Sequence, residues 1–194
     1  PEGYYCTLGE FSPVPCPKGY YCPAGTKFAT EFACPNGTFN NITKIKSIDE
    51  CTACTPGHYC AKEGLEEPSG LCKKGYFCNL GASVPAPDSG TVLGYQGQSC
   101  NDPVAQEGND VCPLGHYCPI GSPSPKACPT GTISQANNLY NISQCEPCPA
   151  KYYCPHAAMV NTSYLCTVGH YCPGGDSQPT LECPVGHRCV VGRS

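Results

Sequence analysis

The stretch "CPKGYYC", Cys16 to Cys22, sets two cysteines around a Gly and two aromatic rings. The frame returns as "CTPGHYC" (54–60), "CKKGYFC" (72–78), "CPLGHYC" (112–118), "CPAKYYC" (148–154), "CTVGHYC" (166–172) and "CPVGHRC" (183–189). A catalytic motif is needed once per active site, so a frame repeated this often points to a building element. Its Gly permits the positive φ of a tight turn, and Pro in several copies presets the turn's start. The aromatic pair then favours extended backbone. Seven residues can bring the two Cα atoms within the roughly 4.4–6.8 Å that a disulfide spans.

Composition points the same way. The chain has 194 residues, 20 of them Cys, with 22 Gly, 22 Pro, one Met and only 13% charged residues. Such a chain predicts a small disulfide-rich fold: tandem cysteine-rich repeats with short β-hairpins and irregular loops, little helix and an elongated rod. An even Cys count implies an oxidising compartment, hence a secreted or cell-surface, extracellular protein. A net charge of −4 and a pI near 5.7 supply no basic field for nucleic acid. No apolar run nears the roughly 20 residues of a spanning helix, so no membrane insertion is expected of this segment. With neither initiator Met nor signal peptide, the chain reads as a mature product or an excerpt of a longer repeat array.

A longer period is also visible. "CTLGEFSPVP" (from Cys6) matches "CNLGASVPAP" (from Cys78) and, more loosely, "CPGGDSQPTLE" (from Cys172). This divides the chain into repeat 1 (1–77), repeat 2 (78–171, with an insertion at 88–111) and a partial repeat 3 (172–194). Cys34 to Cys51 and Cys128 to Cys145 are both seventeen apart, and each pair leads into C-x-x-C and then C-x5-C.

The expected bonds close each loop locally: Cys16–Cys22, Cys34–Cys51, Cys54–Cys60, Cys72–Cys78, Cys112–Cys118, Cys128–Cys145, Cys148–Cys154, Cys166–Cys172 and Cys183–Cys189. An interleaved alternative joins Cys6–Cys16, Cys22–Cys34, Cys60–Cys72 and Cys154–Cys166. The local scheme leaves Cys6 and Cys100 for intermolecular or external pairing. Each local bond contributes on the order of 2–3 kcal/mol by the loop-entropy estimate.

"CPNGTFNNITKIKSIDECTACTPGHYC" and "CPTGTISQANNLYNISQCEPCPAKYYC" resemble the cysteine-rich repeats of ephrin-receptor-like and growth-factor-receptor-like extracellular proteins, marked by C-P-x-G-T, a spacer, C-x-x-C and a further C-x-x-G. Such repeats occur in large surface proteins and in flagellar-hair (mastigoneme) proteins. The resemblance covers nearly the whole chain outside the insertion. It implies an architectural or ligand-binding role rather than an enzymatic one.

N-x-[ST] occurs at Asn36, Asn41, Asn141 and Asn161, which are expected acceptors of N-linked glycans. The C-x-x-C pairs Cys51/Cys54 and Cys145/Cys148, with His58 and His116 nearby, raise zinc, but the Cys framework repeating around them favours disulfides and no metal. His58, His116, His170 and His187 share one slot with Tyr4, Tyr20, Tyr76 and Tyr152, an interchange that suits packing better than acid–base chemistry. No catalytic set assembles, and neither enzyme activity nor a cofactor is expected. The second rings (Tyr5, Tyr21, Tyr59, Phe77, Tyr117, Tyr153 and Tyr171) either cover disulfides or form an exposed ladder that meets sugars or another chain. Asn101, Asp102, Glu107, Asn109 and Asp110 make the insertion oxygen-rich, without a defensible calcium spacing. The function expected is a non-enzymatic structural repeat protein, a glycosylated stalk, coat or fibre subunit that self-associates into filaments. The alternative is a receptor or adhesin ectodomain for a protein or glycan ligand. Reduction is expected to abolish the folded circular-dichroism signature, and retention of the fold by a fully reduced chain refutes the stapled architecture.

Overall fold

The structure, a computed structural model, describes residues 1–7, 12–87 and 109–190. Most of the insertion, including Cys100, Asn101, Asp102 and Glu107, lies outside the described residues. The described chain is a succession of two-stranded antiparallel hairpins, with helix confined to two 3-10 turns, Ile48–Glu50 and Ile142–Gln144. It is a small disulfide-rich repeat fold with nine disulfides. Contacts divide it into two compact units. One comprises Pro1–Lys73, Phe77–Asp110 and Ile120–Ser124; the other comprises Lys74–Tyr76, Val111–Pro119 and Pro125–Ser194.

The hairpins follow from the frame. The aromatic pair forms the first strand, and the residues just before the next C-x-x-G form the second. His58–Tyr59 pairs with Gly70–Leu71, and Tyr152–Tyr153 pairs with Tyr164–Leu165. The two C-P-x-G-T loops obey the same rule, Thr38–Phe39 pairing with Thr52–Ala53 and Thr132–Ile133 with Glu146–Pro147. The elementary repeat is therefore a single hairpin, shorter than the period read from the cysteines. Its turn residue is left-handed from Gly3 through Gly19, Gly37, Gly57, Gly75, Gly115, Gly131, Lys151 and Gly169 to Gly186, with φ between +75° and +85°. These turns recur every sixteen to twenty residues, except across the insertion.

Among the described residues, a second left-handed residue follows eight of these ten turns. In order these are Gly25, Lys44, Gly64, Gly81, Gly121, Asn138, Ala158 and Gly175. Together the two series build a backbone ladder. In the first unit, the Gly37 N–H donates to the Cys60 carbonyl at 2.9 Å and the Cys54 N–H donates to the Gly37 carbonyl at 2.8 Å. The Gly81 N–H then donates to the Cys54 carbonyl, and the Cys60 N–H to the Ala82 carbonyl, both at 2.8 Å. The second unit repeats the pattern: Gly131 to Cys154, Cys148 to Gly131, Gly175 to Cys148 and Cys154 to Asp176. Strands as short as two residues make too few bonds to stand alone, and within each unit the ladder bonds one hairpin to the next.

The core is mostly sulfur. Fifteen of the eighteen bonded cysteines are buried, whereas the other buried apolar residues among those described are Ile45, Ala82, Ile133 and Leu139. Ile45, Ala82 and Leu139 each follow a left-handed residue, so the second turn points them inward. Asn40 and Ser134 occupy the slot that a second cysteine fills elsewhere. Their N–H groups donate to the Leu65 and Met159 carbonyls, as the Cys60 N–H does to Ala82. Asn40 is 1% exposed and exchanges bonds with Ile42, its Nδ2 donating to the Ile42 carbonyl and its Oδ1 accepting from the Ile42 N–H. The Ser134 hydroxyl donates to the Ala136 carbonyl. Buried polar groups need such partners, and among the described residues no buried side-chain N or O lacks one.

Close approach of backbone to backbone makes the turn Gly more than a conformational convenience. A Cβ on Gly131 stands 2.5 Å from the Gly175 carbonyl oxygen, closer than real Cβ contacts allow. Gly169 has nearly the same φ, +81° against +79°, but open space around the same point. Gly169→Ala therefore costs only the left-handed strain, about 1 kcal/mol. Gly131→Ala adds a steric clash and costs about 3 kcal/mol. Equal losses in the two variants, measured by denaturant titration, refute the stacking.

Candidate functional site

The candidate site residues are the cysteines, the sequon asparagines and the ring ladder. The nine disulfides join Cys16–Cys22, Cys34–Cys51, Cys54–Cys60, Cys72–Cys78, Cys112–Cys118, Cys128–Cys145, Cys148–Cys154, Cys166–Cys172 and Cys183–Cys189. Every bond is local, and the interleaved scheme is not adopted. Cα atoms of each pair stand 5.7 to 6.1 Å apart, inside the ordinary range. The C-x-x-C pairs are split between bonds: Cys51 pairs with Cys34, Cys54 with Cys60, Cys145 with Cys128 and Cys148 with Cys154. Bonded sulfurs are not thiolate ligands, and the described residues hold no group of three or more His, Cys, Asp or Glu gathered for a metal ion.

Cys6 is exposed and carries a free thiol. Its N–H donates to the Thr26 carbonyl, the same place in the ladder that Cys22 takes with Ile45. Cys6 thus sits where the second cysteine of a clasp sits. Cys100 lies outside the described residues.

The histidines show why they interchange with Tyr. His58 Nδ1 lies 3.3 Å from the Pro56 carbonyl and His116 Nδ1 2.9 Å from the Leu114 carbonyl; His170 Nδ1 is 3.4 Å from the Val168 carbonyl. Each ring folds back on its own turn and is half-buried, as Tyr76 and Tyr152 are at the same step. The second rings are half-buried too. Tyr59 packs on the Cys72–Cys78 cluster with Ala82. Tyr153 meets Tyr164 across its hairpin at 5.5 Å, and His156 meets Tyr164 edge-on at 5.8 Å. Two lysines lie over rings, Lys44 over Tyr4 at 5.2 Å and Lys74 over Tyr140 at 4.3 Å. The rings therefore both cover the staples and keep one side toward solvent.

All four sequon asparagines are exposed, but their settings differ. Asn36 is at a turn tip, with the Thr38 hydroxyl donating to the Pro35 carbonyl at 2.7 Å. Asn41 follows the buried Asn40. Asn141 caps the 3-10 turn Ile142–Gln144, its side chain accepting from the Ser143 N–H. Asn41 and Asn141 both lie in long spacers, yet Ser47 is the residue that matches Asn141 before the 3-10 turn Ile48–Glu50. Sequence spacing alone did not expose the ladder slots of Asn40 and Ser134. The signal was present: each stands six residues after a turn-opening Cys, where other frames place their second Cys.

A cleft of about 520 Å³ is lined by Val168, Gly169, His187, Arg188 and Val190 around the Cys183–Cys189 bond. It gathers one His and one Arg, without a carboxylate or a nucleophile to complete an acid–base set.

No family model matches the chain. Over 94 aligned residues it is 28% identical to ABC transporter G family member 25 of Oryza sativa subsp. japonica, a match covering 42% of this chain and 9% of that protein. The chain thus spans a small part of the length of the curated relative it matches. The architecture and its disulfides point to an extracellular or secreted setting, and no helix among the described residues is long and apolar enough to cross a membrane.

Alkylation of the native chain is expected to label Cys6 and none of the eighteen clasp cysteines. Peptide mapping that finds label on any clasp cysteine refutes the pairing.

Proposed function

We propose that the chain is a non-enzymatic structural repeat segment of an extracellular protein, a stapled and glycosylated stalk or fibre element. The observation that supports this most is the ladder. The same four backbone bonds recur hairpin after hairpin, so the unit is extendable by its own logic. A repeat that contacts its neighbours through backbone tolerates change at its exposed positions. Lys18, Pro56, Lys74, Leu114 and Val168 accordingly differ in charge and size at one step of the turn. Filaments follow when identical ends meet head to tail.

A second reading has its own support. The likeness to part of a protein named as an ABC transporter suits a segment carried outside the membrane by a larger membrane protein. There the stack serves as an ectodomain and recognises a partner or a glycan through its half-buried rings.

Negative-stain microscopy and sedimentation of oxidised chain with Cys6 alkylated separate the two. Uniform filaments support the fibre reading. Dispersed monomers at high micromolar concentration overturn it and leave the ectodomain reading.

A further inference from the structure

Two tyrosines face each other across the hairpin that follows Lys151. The register sets Tyr153 opposite Tyr164 and Tyr152 opposite Leu165. Adjacent strand residues point to opposite sides, and the two tyrosines of the first strand divide accordingly. Tyr152 packs on the buried cluster of Ile133, Cys148 and Cys154. Tyr153 meets the Tyr164 ring instead, with centroids 5.5 Å apart and planes tilted by 43°. His156 meets Tyr164 edge-on at 5.8 Å and limits the swing of its ring. Tyr164 is 38% exposed, so an oxidant in solution reaches it. Among the described residues this is the one pair of tyrosine rings in contact. Tyr21 has a ring neighbour at a like distance, 5.6 Å, but that neighbour is Phe32.

The same hairpin has no covalent bond between its strands. Cys148–Cys154 closes the turn that carries the first strand, and Cys166–Cys172 closes the turn after the second. Neither reaches across. In the hairpins of the two long loops, Cys34–Cys51 and Cys128–Cys145 do reach across, joining the approach of one strand to the approach of the other. The ring contact of Tyr153 and Tyr164 stands where such a link is missing.

We propose that Tyr153 and Tyr164 are a site of oxidative cross-linking, coupling ring to ring as dityrosine when a peroxidase and hydrogen peroxide act on the folded chain. Each phenol gives up one electron and one proton. The two phenoxyl radicals form a carbon–carbon bond between ring positions ortho to the oxygens, and the two ortho hydrogens move to oxygen to restore the phenols. The electrons and protons pass to one hydrogen peroxide, whose O–O bond breaks to give two waters. The disulfides are already oxidised and take no part. Rings held this close meet within one rotamer change, on the picosecond to nanosecond scale. The chain has no Trp and a single Met, so few other side chains compete for the oxidant. The assignment goes beyond both readings of the function and depends on neither.

The chain with its disulfides formed and Cys6 alkylated is treated with a peroxidase and hydrogen peroxide at low micromolar concentration. Dityrosine fluorescence, gel mobility and peptide masses after reduction are read. The expected product is a monomer with one dityrosine, found as a Tyr153–Tyr164 peptide pair two hydrogens lighter than its parts. Its yield per chain should not change on dilution by about tenfold, because the link forms within one hairpin. Tyr153→Phe and Tyr164→Phe should each lose the monomer's signal. The peptide map of the unsubstituted chain decides by itself if a variant does not fold. Coupling confined to dimers, a yield that rises with concentration, or a signal that survives either folded Phe variant overturns the inference. So does a monomer whose cross-link joins other tyrosines.

Discussion

The left-handed turn stacked against the next turn's carbonyl is the interaction on which the remainder depends. A two-residue strand contributes two residue pairs, and an isolated hairpin of that size does not hold its shape in water. Here the turn residue donates forward to the following hairpin, accepts back from the cysteine that opens it, and sits under a carbonyl from the hairpin beyond. A hairpin such as that of Gly131 is therefore held by backbone bonds to the next hairpin and by close approach to the one beyond. The geometry demands φ near +80° and no Cβ in the approach, which is why Gly recurs at this one step. Lys151 takes the same backbone conformation with a side chain, and it is exposed.

The disulfides act on the same arrangement from the other side. Short local bonds reduce the freedom of the unfolded chain and, once formed, supply the buried apolar volume that Leu, Ile and Val supply elsewhere. Where the second cysteine is replaced, the slot does not become apolar. Asn40 and Ser134 fill it and satisfy nearby backbone groups instead, while Cys34 and Cys128 reach seventeen residues onward for their partners. Two forms of closure, one covalent and one hydrogen-bonded, thus serve a single backbone template.

This division leaves the outer positions unconstrained by the ladder. Rings, lysines, sequons and exposed aliphatics occupy them, in an oxidised scaffold whose inner groups are already partnered. A scaffold of this kind suits work done by spacing and surface, such as holding, presenting or joining, in the extracellular setting that the disulfides indicate.

The sequence by itself determined the class of the fold. The repeated C-x-x-G-aromatic-aromatic-C frame carries a turn, a strand and a staple within seven residues, so Cys16 to Cys22 is readable without any distant partner. The equal spacing of Cys34–Cys51 and Cys128–Cys145 made the duplication legible in the same local way. What only the tertiary structure decided is the ladder that links hairpin to hairpin. The second left-handed residue is Gly at some steps but Lys44, Asn138 and Ala158 at others, so no residue type marks it. Its partner lies in an earlier hairpin, as Cys54 does for Gly81. The inequivalence of Asn41 and Asn141 was hidden for the same reason. A cap depends on where the chain turns back, and that is set by bonds between hairpins, which spacing along the chain does not record.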